Sequence, residues 1–238
     1  MNPEAIVFST MMKKAHRRGK RGLLEADLVE GALAEIERGG LDGFSMRCAA
    51  CALDCDAATL IYHFGSKEGL ERAVTERLHS EIRKPDDTLP WDQQLKHLAR
   101  QYRQAAQRYP EAFPLLLRFW TSGPRDLDVA ELWHQALADA GIPEKHIAAV
   151  GCSTYASILG LCTGEVRGLL GLPSQDTLAE LVTLDHLTLT KRLIPTFETL
   201  SAETIFETAL ELLIAGIVVT FPARKKLPTA KPVARRKS

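Results

Sequence analysis

No N-terminal stretch of the 238-residue chain pairs a basic start with an apolar core and a small-residue cleavage site, so secretion is not expected. The longest apolar run, residues 212–221, is about half of what a bilayer span requires and reads as a buried helix, with no membrane partner. Cysteine is scarce and odd in number, at five, which excludes a fully paired disulfide framework and predicts free thiols in a reducing cytoplasm. Internal repeats are missing. Strand-like alternation is missing too, so the expected class is all-α. The chain has no nucleophile elbow, phosphate loop, zinc-binding helix or paired catalytic carboxylates, and on those grounds neither an enzyme, a cofactor nor a metal site is expected.

Acid is missing from one basic stretch near each end. Residues 13–21 hold six Lys/Arg (Lys13, Lys14, Arg17, Arg18, Lys20 and Arg21) and no Asp or Glu. The stretch after Ala223 holds seven basic residues, again without acid. Seventeen basic residues are left to face the thirty acidic ones elsewhere, although the formal net charge is zero. Basic ends on an acidic body suit a protein that meets a polyanion at a defined place and repels it elsewhere. For the tail alone, a role in solubility is an equal reading.

What is present is helical periodicity. Leu24, Leu28, Ala32 and Ile36 recur as one stripe of an amphipathic helix that Gly39-Gly40 ends. Ser45 caps a short second helix from Met46 to about Leu53. Asp56 is placed to cap a third, from Ala57 to about Phe64, and Ser66 a fourth that runs to about Arg83 before Pro85. Residues 84–90 read as a hinge. Beyond it, helices are predicted over 91–109, 112–120, 129–140, 144–170, 188–200 and 202–221, with 171–187 loosely structured. The expected division is therefore a flexible basic arm (1–22), a helix-turn-helix domain (23–84), a larger helical ligand-binding and dimerisation domain (91–222) and a disordered basic tail (223–238).

Three short helices with a tight turn between the second and third form the unit that places a helix in the major groove. Spacing alone is a weak signal. The strings "LVEGALAEIERGGLDGFSMR" and "ATLIYHFGSKEGLERAV" strengthen it, because they closely resemble the DNA-binding domain of the TetR family. The shared features are Gly40, Phe44, Ser45, Met46, Arg47, Thr59, Leu60, His63, Phe64, Ser66, Lys67 and Glu68. A fainter resemblance to the family's ligand domain continues through "WDQQLKHLARQYRQAAQRYP", "ALADAGI" and "FETALELLIAGI". It implies a homodimeric cytoplasmic regulator, a repressor by default, that leaves a double-stranded DNA operator when a small-molecule effector binds. Arg47 would reach a base edge or phosphate; Ala57, Thr59 and Tyr62 would lie on the recognition helix; Lys67 would grip phosphate at the next helix start. Arg17, Arg18, Lys20 and Arg21 would add salt-sensitive contacts.

The chain departs from the family at several of these places. Ala49 stands where a Leu is common, Asp54 where the turn has glycine, Cys55 where Val follows, and Ile61 where a Tyr grips phosphate. Ala57-Ala58 offers little beyond contact with a thymine methyl. A dimeric ligand- or partner-binding protein with degenerate DNA recognition is the alternative these changes leave open. Cys48, Cys51 and Cys55 leave another, a thiol or metal switch in the reading head, against packing as small apolar side chains. Cys152 and Cys162 read as packing residues, and His63 as a buried structural one.

The resemblance also implies a pocket. Tyr102, Phe119, Trp120, Trp133 and Tyr155 fall on helices that enclose the ligand in the family, with His134 and Glu165 as polar candidates. The set favours a flat or hydrophobic effector. Tetracycline repressors hold magnesium through a His where this chain has Phe119, so a magnesium–tetracycline ligand is not implied. The final helix is apolar almost all round, which predicts burial on two sides within a dimeric four-helix bundle.

Overall fold

The computed structural model describes residues 24–171 and 173–222, and the basic arm and tail lie outside them. Ten α-helices and one 3₁₀ helix, with no strand among the described residues, make up the fold. Four form the head: α1 (Glu25–Gly39), α2 (Met46–Ala52), α3 (Ala57–Phe64) and α4 (Lys67–His79). The body is α5 (Trp91–Arg108), the 3₁₀ helix Phe113–Leu117, α6 (Pro124–Asp139), α7 (Glu144–Val166), α8 (Gln175–Thr183), α9 (Thr188–Phe197) and α10 (Ala202–Thr220).

Local chemistry places the ends of the head helices. Asp27 accepts a hydrogen bond from the Leu24 amide at 3.1 Å, and Gly40 takes φ +74° to stop α1. Ser45 and Ser66 are true N-caps, accepting from the amides of Cys48 and Gly69 at 3.2 and 3.0 Å. The turn between α2 and α3 puts Asp54 at φ +48°, the one non-glycine residue at positive φ among those described. Asp tolerates the left-handed region better than most side chains, yet still at a cost of about 1 kcal/mol. Asp54→Gly is therefore expected to stabilise the protein by roughly that amount and to raise Tm by about 2–4 °C in a thermal melt.

Several boundaries differ from those predicted. Helix α4 stops at His79, well before Pro85, because the chain tightens into i→i+3 bonds from Glu81 to Leu78 and from Ile82 to His79. Residues 113–117 are 3₁₀, not α. Helix α6 starts five residues early, with Pro124 at its first position, where a missing N–H costs nothing. The stretch expected to be loose contains α8, capped by Ser174 through the Thr177 amide at 3.1 Å. Its signal was present as Ser174 followed by Leu178 and Leu181 at helical spacing.

A single buried apolar cluster runs from Leu28 in α1 through Leu70, Val74 and Leu78 of α4 to Tyr102, Leu137, Ile158 and Phe206 in the body. Helix α4 is the seam: its apolar face packs on α1 in the head and on α6 and the 3₁₀ helix in the body. Helix α7 is long and apolar enough to cross a membrane by composition, but one face packs on α5, α6 and α10. Beyond its first turn the other face exposes small residues: Ala148, Ala149, Cys152, Ser153, Ala156, Ser157 and Gly160.

Candidate functional site

The head turns a thinly decorated surface outward, part apolar and part polar. Leu60, fully buried, anchors α3, while Ala58, Ile61, Tyr62 and His63 of the same helix are exposed. Tyr62 is 87% exposed and meets His63 edge-on at 5.3 Å, so His63 is a surface residue and not the buried one expected. Thr59 and Ala57 are half-buried. Arg47 projects into solvent from the first turn of α2. Lys67, the first residue of α4, has its ammonium 5.7 Å over the Phe44 ring and 3.5 Å from Glu71 Oε1. Arg47, Ala57, Thr59, Tyr62 and Lys67 thus all belong to α2, α3 or the start of α4, whereas Arg17, Arg18, Lys20 and Arg21 lie outside the described residues. Ala49, at a common Leu position, is fully buried. Cys48 and Cys51 are exposed, contrary to a packing role, and Cys55 is half-buried. Cys152 is exposed as well, and Cys162 is the buried thiol.

Polar groups stitch the head to the body. Glu76 of α4 accepts from the Arg125 and Asp126 amides at 2.9 and 3.2 Å and from Ser122 Oγ at 2.8 Å, so a head carboxylate caps the N-terminus of a body helix. Glu37 of α1 does the same for the 3₁₀ helix, accepting from the Ala112 amide at 2.8 Å; burial raises its pKa despite these bonds. Arg72 donates to the Thr121 carbonyl at 2.6 Å and lies 4.3 Å over the Phe119 ring. Glu71, fully buried, takes Arg118 at 2.8 Å, while its Oε1 accepts no hydrogen bond.

At the lower end of α4 three predicted aromatics converge. Tyr102, Trp133 and Tyr155 meet edge-to-face, with ring centroids 5.4 to 6.4 Å apart. Trp133 Nε1 donates to Thr154 Oγ1 at 2.9 Å. His79, not foreseen as a site residue, supplies a fourth ring 6.2 Å from Tyr102. Its Nε2 lies 3.3 Å from both the Tyr155 hydroxyl and Asp126 Oδ1, and its Nδ1 3.3 Å from Ser122 Oγ. The Tyr102 hydroxyl is buried; it makes no well-formed hydrogen bond and interacts with the Tyr155 hydroxyl. Burial pushes both phenols well above their ordinary range.

The other predicted residues sit elsewhere. Phe119 lies beneath Arg72 at the seam, and Trp120 is 91% exposed. His134 packs against Gly151, whose missing side chain leaves it room. Glu165, fourteen residues further along α7, is held by Arg103 at 2.7 Å, so His134 and Glu165 do not share a pocket. The sequence did hold a pointer to His79: it follows Leu70, Val74 and Leu78 on the buried side of α4.

Burial lowers the pKa of His79 from the usual 6.5, opposed by the nearby Asp126 and Glu76 carboxylates. The unfolded chain then takes up this proton more readily than the folded one. Stability should fall as pH drops below about 6.5 and level off once the folded-state pKa is passed. Thermal melts between pH 7.5 and 5 should show this decline in the wild type and a smaller one in His79→Gln.

Comparison with known proteins bears on this geometry. Residues 28–74 match the family profile for bacterial regulatory proteins of the TetR type, and residues 84–221 match the tetracyclin repressor-like C-terminal domain. A curated HTH-type transcriptional regulator of Saccharopolyspora erythraea is 26% identical over 149 residues, which span 62% of this chain and 63% of the relative. Among solved structures, Streptomyces coelicolor ActR in complex with actinorhodin superposes at a TM-score of 0.75 with 22% identity, covering 84% of this chain and 99% of that one. BioQ with its natural double-stranded DNA operator superposes at 0.62 with 20% identity, covering 83% and 99%. The C-terminal match alone spans more than half of the sequence, and with the head matched separately the chain belongs to the TetR family of bacterial transcriptional regulators.

Proposed function

We propose that the chain is a homodimeric repressor whose head (residues 23–84) binds an operator and whose body (91–222) binds a small hydrophobic or aromatic effector. One observation carries this reading: α4 holds Lys67 at the head surface and His79 in the aromatic cluster, as the two ends of one 13-residue helix. A ligand that parts Tyr102, Trp133 and Tyr155 must shift His79. The Glu76 cap and the Arg72 and Arg118 contacts carry α4 and α6 along together. The effector favours the arrangement in which it fits, and DNA affinity falls by the difference in its affinity for the two shapes, typically a coupling of about 1–3 kcal/mol. ActR with actinorhodin and BioQ with its operator, both similar in fold, support the two partner classes. Such a protein acts in the cytoplasm, where the DNA is, and as a regulator without catalysis.

The dimer is supported by two uncovered helix faces. Small residues line one side of α7, and Leu212, Ala215, Gly216 and Val219 form an exposed stripe on α10. Paired as a four-helix bundle, these faces would set the two heads about 34 Å apart, one turn of DNA. Leu212→Glu combined with Val219→Glu should convert the dimer to monomer in light scattering and abolish operator binding. A dimer that persists would place the interface elsewhere.

The test of the whole reading is a salt titration of binding to fragments upstream of the protein's own coding region. Arg47→Ala and Lys67→Ala should each weaken specific binding by roughly 10- to 100-fold and flatten the salt slope. Wild-type protein that binds no fragment better than random DNA would instead favour the ligand-binding dimer with degenerate recognition, in line with Ala57-Ala58 and Ile61.

A further inference from the structure

We infer that Cys48 and Cys51 form a vicinal dithiol that hydroperoxides oxidise to an intrahelical disulfide, distorting α2 and loosening the reading head from DNA. Both thiols are exposed on the same seven-residue helix, at i and i+3. Helix geometry sets their Cα atoms about 5 Å apart, inside the roughly 4.4–6.8 Å that a disulfide spans. The Cβ atoms at this spacing are about 5–6 Å apart, wider than the bond accepts, so closing it must tighten the turn. Ser45 ties the turn to the sulfur: its hydroxyl lies 3.1 Å from Cys48 Sγ while accepting the Cys48 amide as the helix cap. Arg38 of α1, paired with Glu35 at 2.6 Å, also interacts electrostatically with both cysteines. Cys55 is half-buried, and burial with the neighbouring Asp56 and Asp54 pushes its thiol pKa up.

The chemistry balances with a hydroperoxide as oxidant. The Cys48 thiolate attacks the peroxide oxygen, the O–O bond breaks, and sulfenic acid forms as hydroxide or alkoxide leaves and takes a proton. The Cys51 sulfur then attacks the sulfenic sulfur, forming the S–S bond and releasing water. Two thiols lose two electrons and two protons, and the peroxide is reduced to water, or to water and an alcohol. Ala49 and Ala50, between the cysteines, are buried against the head core, so the strain falls on the exposed first turn, where Arg47 sits.

The test uses the full-length protein and hydrogen peroxide. The expected result is a 2 Da mass loss mapped to Cys48 and Cys51, with faster amide exchange over residues 46–52 and a DNA dissociation constant raised at least about tenfold. Dithiothreitol should reverse all three. Cys48→Ser and Cys51→Ser should resist, while Cys55→Ser should behave as wild type. The inference is overturned if the thiols survive peroxide, if the bond maps to Cys55 or between chains, or if α2 exchanges no faster once it is formed. Mass and amide exchange do not depend on an operator, so they separate failure here from failure of the repressor reading.

Discussion

Trp133→Ala should lower the unfolding free energy by about 3–5 kcal/mol and Tm by on the order of 10 °C. The indole is buried at the meeting point of α5, α6 and α7, in edge contact with Tyr102 and Tyr155. Removing it opens a cavity whose walls belong to three separate helices and so cannot easily close. The hydrogen bond lost with it adds little, because Thr154 Oγ1 still donates to the Val150 carbonyl at 2.8 Å. Tyr102→Phe should act in the opposite direction. It deletes a buried hydroxyl that makes no well-formed hydrogen bond and should stabilise the free protein by about 1 kcal/mol. If that hydroxyl is kept to bind the effector, the same variant should show a smaller thermal shift with whichever flat aromatic compound stabilises the wild type. Loss of stability in Tyr102→Phe would show the hydroxyl to be satisfied in the free protein.

Arg118→Ala should destabilise the protein by about 2–3 kcal/mol. Removing one partner of a buried ion pair costs about 3–5 kcal/mol, and the half-exposed arginine and the remaining Lys67 reduce that figure here. Glu71 is 1% exposed and sits on the head side of the seam, so its charge, left with Lys67 alone, would loosen α4 from the 3₁₀ helix. The effect should also appear in function: repression weakened, and induction blunted, because the body no longer holds α4 in one position. Glu71→Gln with Arg118→Ala should recover part of the loss, which chemical denaturation of the four proteins in the cycle would measure.

The helices were legible in the sequence because their ends are written in local chemistry. Ser45, Ser66 and Gly40 do the same work in the structure as their positions predicted. The end of α4 was not legible: Pro85 is a strong stop signal, but the helix gives way earlier, at Ser80, whose hydroxyl turns back to the Arg77 carbonyl. Tyr102, Trp133 and Tyr155 do converge, since each lies on the inward stripe of its helix. Phe119 and Trp120 do not, because a 3₁₀ helix ends just before them and turns them toward the seam and solvent, a change of period that apolarity alone cannot reveal. His79 and Glu76 were missed for a different reason. The spacing from Leu70 to Leu78 points to the burial of His79, but a buried polar residue's role is recognised by its partners, here Asp126, Ser122 and two amides some fifty residues away, and no window along the chain contains both sides.

The continuous core through α4 has a consequence for anyone who recombines such proteins. A head excised after residue 84 would expose the faces of Leu70, Val74 and Leu78 that now meet the body, and leave Glu71 without its arginine. It should aggregate or melt early, and the intact chain should show a single calorimetric transition. A chimera that transplants this DNA specificity onto another effector domain would therefore succeed only by carrying residues 112–126 along with the head. The unit that can be inherited intact is thus a discontinuous one, made of the reader and the socket it plugs into.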